Sequence, residues 1–364
     1  MNSRRFDVIV IGAGVAGLMT ALEFLQQGLK VLVVEKGIAG RESSWAGGGI
    51  LSPLYAWRAP SAVYRLALLG HQLYPQLCDQ LTQQTGVDSQ YQARGLLVLN
   101  QTLDNQIQEY VGQTQLAVVE LDAGEACASL VTANRYLPAL LFPEVAAVRP
   151  PRLLKALVAQ LGALGGELLE GAEVHRIGSG DSRVRGVHVN DNFYAANGVV
   201  VCAGAWSDQL CAQYLCPTEI HPVKGQMILV TLDTCPLSQI LLADGRYIIP
   251  RGAGDYVIGS TVEHVAFDKS ISSDVADALR DFASALCPDF AAAKITKQWA
   301  GLRPSSPDGI PYIASHPQVE GLFINAGHYR NGVVMAPAAA KLVVDLVLQR
   351  TPILDPTPYR WQRD

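Results

Sequence analysis

FDVIVIGAGVAGLMTALEFLQQGLKVLVVE, residues 6–35, opens and closes with runs of aliphatic residues and has a glycine turn after the first run. The two runs, residues 6–11 and 30–35, predict buried parallel strands because nearly every position in them is apolar. The segment Val15–Gln27 between them predicts a helix that ends at Gly28. A strand, a glycine turn, a helix and a second strand in about 30 residues indicate a βαβ unit of the Rossmann type.

The glycine turn has the spacing Gly12-x-Gly14-x-x-Gly17. Gly12 permits a tight turn, Gly14 lets the backbone approach a pyrophosphate, and Gly17 lets the helix pack closely on the strand. The start of the helix would bind the phosphates, and Glu35 at the end of the second strand would accept hydrogen bonds from a ribose hydroxyl. The residues of this unit predicted to bind a dinucleotide are Gly12, Gly14, Val15, Ala16, Gly17, Glu35 and Lys36. The motif by itself does not separate NAD from FAD.

The composition sets the class of protein. The chain has 364 residues, of which 49% are hydrophobic and 17% charged, so it can form a large core, and its length suggests two domains. There are 28 basic and 33 acidic side chains, which gives a net charge of −5 with histidine neutral. We expect no binding to nucleic acid, because the basic stripe that phosphate binding requires is missing. No membrane association is expected either, since no stretch reaches the roughly 20 apolar residues of a membrane span.

The seven cysteines are scattered and include no C-x-x-C pair. This pattern is typical of reduced thiols in a cytoplasmic protein. Neither cysteine nor histidine has the spacing of a zinc site, so no metal is expected. Arg4 and Arg5 before an apolar run imitate an export signal, but Asp7 interrupts the junction and the glycines of the run fit dinucleotide binding better. The predicted location is the cytoplasm.

Two kinds of pattern alternate along the rest of the chain. Residues 221–261 are rich in strand patterns, whereas residues 322–326 predict another buried strand and 333–349 a long apolar helix. The predicted fold class is α/β, with an α+β second domain built on a largely antiparallel sheet. The dinucleotide-binding domain is predicted to comprise residues 1–85, 145–215 and 301–364, and the inserted substrate-binding domain residues 86–144 and 216–300.

The loop RESSWAGGGI, residues 41–50, follows the second strand directly. An NAD-binding fold would continue with a helix and a third strand, whereas three consecutive glycines indicate backbone that lies against a large flat ligand. The hydroxyls of Ser43 and Ser44 can donate hydrogen bonds to phosphate or ribitol oxygens. The loop therefore favours FAD, although a flexible surface loop is the plain alternative.

Together with these motifs, residues 199–207 (VVVCAGAWS) resemble the D-amino-acid oxidase and sarcosine oxidase group of flavoproteins. Within that group the C-terminal half is similar to the glycine oxidases of the thiamine pathway. This similarity lies in PVKGQ (222–226), YIIPR (247–251), WAGLRP (299–304) and GHYRNG (327–332). It covers nearly the whole chain and is weakest over residues 104–145. It implies a glutathione-reductase-like FAD-binding fold.

The resemblance also implies where FAD is held. Sarcosine oxidases of the group bind flavin through a cysteine in the C-terminal segment, whereas the last cysteine here is Cys287, so the flavin is expected to be non-covalent. The helix at 333–349 would point its N-terminus at the flavin, with Pro337 near its start, where proline is best tolerated. The further residues that the resemblance places at FAD are Arg41, Ser43, Ser44, Ala46, Gly47, Gly48, Gly49, Val174, Ala203, Gly204, Trp206, Gly301, Arg303, His328, Tyr329, Arg330, Asn331, Gly332 and Val333.

Three residues are predicted to be catalytic through the resemblance. Arg303 and Tyr247 would bind the carboxylate of the substrate, although a surface ion pair and simple strand packing are the plain alternatives. Arg330 would lie beside the flavin and the substrate amine, with a solvent-exposed loop arginine as the alternative. His328 is expected to be structural rather than a general base. Val262 is expected at the side-chain end of the pocket.

The activity that the resemblance implies is oxidative deamination of glycine or another small amine or D-amino acid. A hydride would pass to flavin N5, O₂ would be reduced to H₂O₂, and the imine would be hydrolysed or passed to thiazole synthesis. A broader D-amino-acid oxidase or dehydrogenase stays open. The acidic charge disfavours a tRNA-modifying flavoprotein, and Tyr247 with Arg303 disfavours a non-catalytic FAD-binding protein. The expected partners are the small amine or amino-acid substrate and O₂, and a homo-oligomer is left open.

Overall fold

The computed structural model describes residues 5–121, 138–214, 216–233 and 237–363. Within these ranges the chain forms two large sheets and a set of helices. The helices are α1 (Val15–Gln26), α2 (Ser43–Ala46), α3 (Ser61–Thr85), α4 (Asn105–Thr114), α5 (Pro150–Ala163), α6 (Ser207–Cys211), α7 (Ser273–Leu286) and α8 (Gly332–Val347). The strands are β1 (Arg5–Ile11), β2 (Val31–Val34), β3 (Gln92–Ala93), β4 (Leu96–Leu99), β5 (Val119–Leu121), β6 (Ala139–Phe142), β7 (Ala146–Ala147), β8 (Glu167–Leu169), β9 (Val174–Gly180), β10 (Arg183–Val189), β11 (Asn192–Val201), β12 (His221–Thr231), β13 (Ile240–Ala243), β14 (Arg246–Gly252), β15 (Asp255–Gly259), β16 (Lys294–Ser305), β17 (Tyr312–Ser315) and β18 (Leu322–Ala326).

The first sheet contains the predicted βαβ unit. Its order is β17-β18-β11-β1-β2-β8, and the β9–β10 hairpin pairs with β11. β1 pairs in parallel with β2 and β11, and β11 pairs in parallel with β18. Val8 and Val10 of β1 pack beneath α1, α3, α5 and α8, whereas Ile9 and Ile11 face the core that includes the β9–β10 hairpin. Burial on both faces explains why the strands of this unit are apolar at nearly every position.

The second sheet is largely antiparallel, as the sequence predicts. Its order is β16-β12-β15-β14-β13-β4-β6-β5, and β13 with β4 is its one parallel pair among the described strands. Leu279 and Ala283 of α7 cover one face, and Ile107 of α4 covers the other. The mixed α/β class is therefore confirmed. The predicted domain boundaries stay a prediction, and the one at residue 301 falls inside β16.

Three local predictions differ from the structure. The loop at 41–50 contains the short helix α2. The pattern of residues 63–85 predicts a helix with a break or kink at Pro75, whereas α3 runs through Pro75 as one helix, because Tyr74, Cys78 and Leu81 around it pack into the core. Part of the poorly patterned segment 104–145 forms α4, β5 and β6, while residues 122–137 lie outside the described ranges. Among the described helices, none has both the length and the hydropathy needed to cross a bilayer.

α8 is held at its start by α3. Pro337 is the sixth residue of α8, further inside than expected, and it has no N–H to donate to the Val333 carbonyl four residues earlier. The Tyr74 hydroxyl donates to that carbonyl at 2.6 Å instead. Tyr74 is fully buried, and burial raises its pKa well above the usual value, so the hydroxyl keeps its proton. Gly70 permits the close approach, since a Cβ there would overlap the Val334 carbonyl.

We predict that Tyr74→Phe lowers the free energy of unfolding by about 1–3 kcal/mol, because the Val333 carbonyl loses its donor. Pro337→Ala restores a backbone N–H at the same carbonyl, so the double variant should recover part of the loss. Tyr64→Phe is the control, since the Tyr64 hydroxyl bonds to Gln113 at an exposed site. Urea unfolding of the holoprotein measures all of these. An equal loss with and without Pro337→Ala would show that the carbonyl is not the cause.

Candidate active site

A cavity of about 400 Å³ lies where the two sheets meet. This volume is within the range of small-molecule sites. The carboxyl ends of β1, β2 and β18, the first residues of α1 and α8, and residues of β12, β14 and β16 all line it. Of the residues predicted for the site, all except Gly17, Arg41 and Val262 line the cavity. The topology therefore brings together residues that are far apart in the sequence.

The glycine turn leaves no room for side chains. Gly12 has φ +103°, and a Cβ there would overlap the Cys202 carbonyl of the neighbouring strand end. A Cβ on Gly17 would overlap the Gly12 carbonyl, so Gly17 packs α1 against the turn and lies away from the cavity. Ser44 accepts a hydrogen bond from the Val15 N–H at 3.0 Å, which places its hydroxyl at the N-terminus of α1.

Glu35 joins the glycine turn to the segment after β2. It is 8% exposed, and its two carboxylate oxygens accept from different backbone groups. Oε2 accepts from the Ala13 N–H at 2.8 Å and Oε1 from the Gly37 N–H at 2.9 Å. Each oxygen keeps a lone pair for a further donor, and Glu35 lines the cavity. Glu35 thus shapes the turn in addition to the predicted contact with a ribose.

The loop at residues 41–50, called the glycine loop below, accepts hydrogen bonds from two side chains of the second sheet. The Trp299 indole N–H donates to the Ala46 carbonyl at 3.0 Å. The Arg251 guanidinium donates to the Gly48 carbonyl, and to the Val148 carbonyl at 2.9 Å. Burial lowers the pKa of Arg251 to about 10, so the group stays charged at neutral pH. The sequence analysis quoted Arg251 within YIIPR but assigned it no role.

Arg303 projects from β16 across the backbone of Gly225 on β12. Its Nη2 donates to the Ser260 Oγ at 2.7 Å and its Nη1 to the Lys224 carbonyl at 3.2 Å. A Cβ on Gly225 would overlap the guanidinium, so this glycine makes the space that Arg303 occupies. Burial lowers the pKa of Arg303 from its ordinary value.

Arg303 keeps its charge without a carboxylate partner within the described part of the chain. Both of its acceptors are uncharged, and the nearby Glu263 forms its ion pair with Lys224 at 3.1 Å instead. A partly buried guanidinium that lines a cavity and lacks an anion is suited to bind one.

Tyr247 on β14 lies in the same cavity and is 7% exposed. Its hydroxyl donates to the Met227 Sδ at 3.6 Å, and a thioether sulfur is a weak acceptor. A Cβ on Gly48 would press on the Tyr247 ring, so the glycine loop allows the ring to lie where it does. The hydroxyl can therefore donate to a ligand at little cost.

His328 is buried beside the first turn of α8. The Asn325 amide donates to the Thr20 hydroxyl at 3.0 Å, so its Oδ1 faces the His328 Nε2 at 2.9 Å and the proton lies on Nε2. Burial lowers the pKa of His328 to about 4, which makes the ring neutral at neutral pH. This geometry agrees with the expected structural role. The buried Nδ1 has no partner among the described residues and can accept one hydrogen bond.

Three side chains that were expected at the site are exposed: Val262, Arg41 and Arg330. Val262 is 45% exposed and does not line the cavity, because it lies on the exposed segment that follows β15. Arg41 lies over the Trp45 ring with 5.7 Å to its centroid. Arg330 is exposed and lies over the Tyr329 ring at the cavity lining. The expected position of Val262 is therefore wrong, whereas the roles predicted for Arg41 and Arg330 stay predictions.

Sequence reasoning missed four residues that shape the site. They are Gly225, Met227, Arg251 and Ser260. A signal existed for Gly225, since glycine inside a strand often marks a close approach of another group. No signal existed for Ser260, because only the fold brings it to Arg303. Among the described residues, no group of three or more His, Cys, Asp or Glu side chains could hold a metal ion.

A sequence profile of the DAO family, described as FAD dependent oxidoreductase, matches residues 7–346. The chain belongs to this family of FAD-dependent oxidoreductases. It is 42% identical to a glycine oxidase of Pseudomonas putida over 97% of both chains. The crystal structure of glycine oxidase from Geobacillus kaustophilus superposes with a TM-score of 0.92, at 31% identity and 99% coverage of both chains. A bifunctional protein ThiO/ThiG of Trichormus variabilis is 29% identical over 94% of this chain and 53% of its own length.

The cavity fits the FAD of this family. The start of α1 and the glycine turn present backbone N–H groups suited to a pyrophosphate, and Glu35 lies beside them. Gly48 and Gly49 form a surface without side chains, where a Cβ would overlap Ile249 or the Val148 carbonyl. The unpaired Nδ1 of His328 offers one further acceptor. These residues accept a large flat ligand with a diphosphate.

We predict that Glu35→Gln weakens FAD retention by about tenfold to a hundredfold. Both carboxylate oxygens accept from backbone N–H groups, so the amide of glutamine would point its own donor at one of them, and a charge-assisted bond worth roughly 1.5–3 kcal/mol is lost. Equilibrium dialysis of FAD measures the dissociation constant. Glu23→Gln in the last turn of α1 is the control, since Glu23 pairs with Lys341 of α8 and does not line the cavity. An unchanged constant for Glu35→Gln would contradict this role of Glu35.

Proposed function

We propose that this chain oxidises glycine, or another small amine or D-amino acid, with non-covalent FAD and O₂. The observation that carries this proposal is the charged Arg303 guanidinium, which lines the cavity with Tyr247 and has no carboxylate partner in the described chain. The 42% identity to a glycine oxidase over 97% of both chains supports glycine within this substrate class.

Arg303 binds the substrate carboxylate through two parallel N–H bonds, which a planar guanidinium supplies better than an ammonium group. The Lys224 carbonyl and the Ser260 hydroxyl hold the guanidinium in place, so little conformational freedom is lost on binding. The Tyr247 hydroxyl donates to the same carboxylate. Two fixed points on the carboxylate orient the α-carbon, and such positioning contributes to the rate.

FAD, held by the glycine turn, Glu35 and the glycine loop, would supply a two-electron acceptor for the hydride of the α-carbon, and O₂ would take up the two electrons to give H₂O₂. The imine then takes up water and yields the 2-oxo acid and ammonia, so that glycine, O₂ and water give glyoxylate, ammonia and H₂O₂. The N-terminus of α8 lines the cavity and has no acidic residue in its first turn. Its positive end stabilises negative charge that develops there. His328 stays neutral at neutral pH, so the imidazole adds no positive charge of its own to that of the helix end.

Bulky side chains support a small substrate. Met227, Leu54 and Ile50 all line the cavity, and Met227 contacts the Tyr247 hydroxyl. These three apolar side chains reduce the space beside the α-carbon of the substrate. A smaller space favours glycine and sarcosine over large D-amino acids. We infer that Arg330 at the cavity lining contacts the amine side of the substrate through its backbone carbonyl.

The finer expectations on partners and location belong to the same proposal. Transfer of the imine to thiazole synthesis is supported by the bifunctional ThiO/ThiG relative, which is about twice as long as its match to this chain. The cytoplasmic location is supported by the buried thiols Cys78, Cys202, Cys211 and Cys216. A homo-oligomer stays a prediction.

We predict that Arg303→Ala lowers kcat/KM for glycine at least about 100-fold, mainly through KM, because the carboxylate loses two charge-assisted bonds. Arg303→Lys should recover part of the loss. H₂O₂ release is measured with glycine, sarcosine, D-alanine, D-proline and L-alanine, and Arg185→Ala at an exposed site is the control. Faster turnover of L-alanine than of glycine, or equal kcat/KM for wild type and Arg303→Ala, would contradict the proposed site.

We predict that acid precipitation of the holoprotein releases all of its flavin into the supernatant. Residues 288–364 contain no cysteine for a thioether to the flavin. Flavin absorbance of the supernatant and of the washed pellet measures the outcome. Yellow colour that stays in the pellet would overturn the non-covalent assignment.

A further inference from the structure

Ser260 lies beside the guanidinium of Arg303 and has a free proton to donate. It is 6% exposed and lines the cavity. Its Oγ accepts from the Arg303 Nη2 at 2.7 Å, and no acceptor for its own proton is found among the described residues. A buried hydroxyl that accepts but does not donate is incompletely bonded, because a serine has one donor as well as two lone pairs.

The neighbouring hydroxyl shows the contrast. Thr261 accepts from the Gln226 N–H at 2.8 Å and donates to the Glu263 Oε1 at 2.5 Å. Glu263 in turn pairs with Lys224, which also contacts Asp268 at 3.2 Å. Thr261 is thus fully engaged in holding an acidic group on Lys224. Ser260 has no such carboxylate partner among the described residues, although it directly precedes Thr261 in the chain.

We propose that the Ser260 hydroxyl is a third donor to the substrate carboxylate, beside Arg303 and Tyr247. This inference rests on the proposed function, since it adds a residue to the same carboxylate site. Ser260 accepts from Arg303 on one side, and its proton is directed to the carboxylate oxygen that the same guanidinium binds. Such a chain of bonds polarises the hydroxyl and strengthens its donation. Ser260 therefore serves recognition of the carboxylate and binds it in the ground state.

Glycolate titration of the FAD-loaded protein tests this contact without turnover. Glycolate carries the carboxylate but no amine, and its binding is followed through the flavin absorbance. Ser260→Ala should raise the glycolate Kd by about tenfold to a hundredfold, the loss expected for one hydrogen bond to a charged group. KM for glycine should rise in parallel, while kcat should change by less than about threefold, because uniform binding is lost. Ser260→Cys, with a weaker donor of similar size, should give an intermediate Kd.

A double-variant cycle separates direct contact from an effect through Arg303. If Ser260 binds the carboxylate itself, Ser260→Ala weakens glycolate binding in the Arg303→Lys protein as well as in wild type. If Ser260 only positions the guanidinium, the effect disappears in the Arg303→Lys protein, and the proposal is wrong. Ser305→Ala is the control, since Ser305 lies two residues after Arg303 and donates to the Ser306 carbonyl.

The two proposals fail in different ways. A wild-type protein that binds glycolate but releases no H₂O₂ with glycine or the other amines refutes the proposed oxidase and leaves the Ser260 contact standing. A protein that oxidises glycine while Ser260→Ala and Ser260→Cys keep the wild-type Kd refutes the Ser260 contact alone. If Ser260→Ala does not retain FAD, the graded Kd of the Ser260→Cys holoprotein decides the outcome.

Discussion

The structure depends on a point where β1, β11 and α1 meet without side chains. The Gly12 N–H donates to the Val34 carbonyl and the Cys202 N–H to the Ile11 carbonyl, so three strand ends are joined there. Added Cβ atoms on Gly12 or Gly17 would overlap backbone carbonyls. Because no side chain can enter, the N-terminus of α1 opens directly on the cavity. The close packing of these strand ends brings Glu35 next to the turn, where its carboxylate accepts from the Ala13 N–H and fixes the shape of the turn.

The second sheet completes the site that the first sheet begins. Trp299 and Arg251 donate to carbonyls of the glycine loop, and Arg303 of the same sheet carries the charge that we propose binds the substrate. Under the proposed function, binding of the flat ligand and of the substrate carboxylate therefore depends on the same two strands, β14 and β16. A change in how the two sheets pack would therefore move the glycine loop and the Arg303 guanidinium together. This coupling gives a physical reason for joining two different sheets in one molecule.

The sequence predicted the parts of the fold that local patterns encode. The βαβ unit at 6–35 and the strand at 322–326 are present because continuous apolar runs reflect burial on two faces. Contacts between distant segments could not be read in this way. The bond from Tyr74 to Val333 joins residues 259 positions apart, and the Ser260 contact with Arg303 exists only because β15 and β16 both pair with β12. Val262 was placed wrongly because neighbours of a site residue in sequence need not share its direction.

Lys224 of β12 and Arg303 of β16 lie on paired strands, but only Lys224 has carboxylate partners among the described residues. The Lys224 ammonium contacts Glu263 and Asp268, and hydrogen bonds from Ser270 and Lys224 lower the pKa of Asp268 to about 2. Within the described chain no carboxylate pairs with Arg303, although its Nη1 donates to the backbone carbonyl of the same Lys224. Removing a charge from water is costly unless an anion compensates it. The local acids neutralise the charge of Lys224 but not that of Arg303, so under the proposed function the cost of burying Arg303 is recovered when the substrate carboxylate enters the cavity. If Arg303 binds the substrate as proposed, the pairing of Lys224 with Glu263 and Asp268 keeps these acids from neutralising Arg303 and so contributes to selectivity for an anionic substrate.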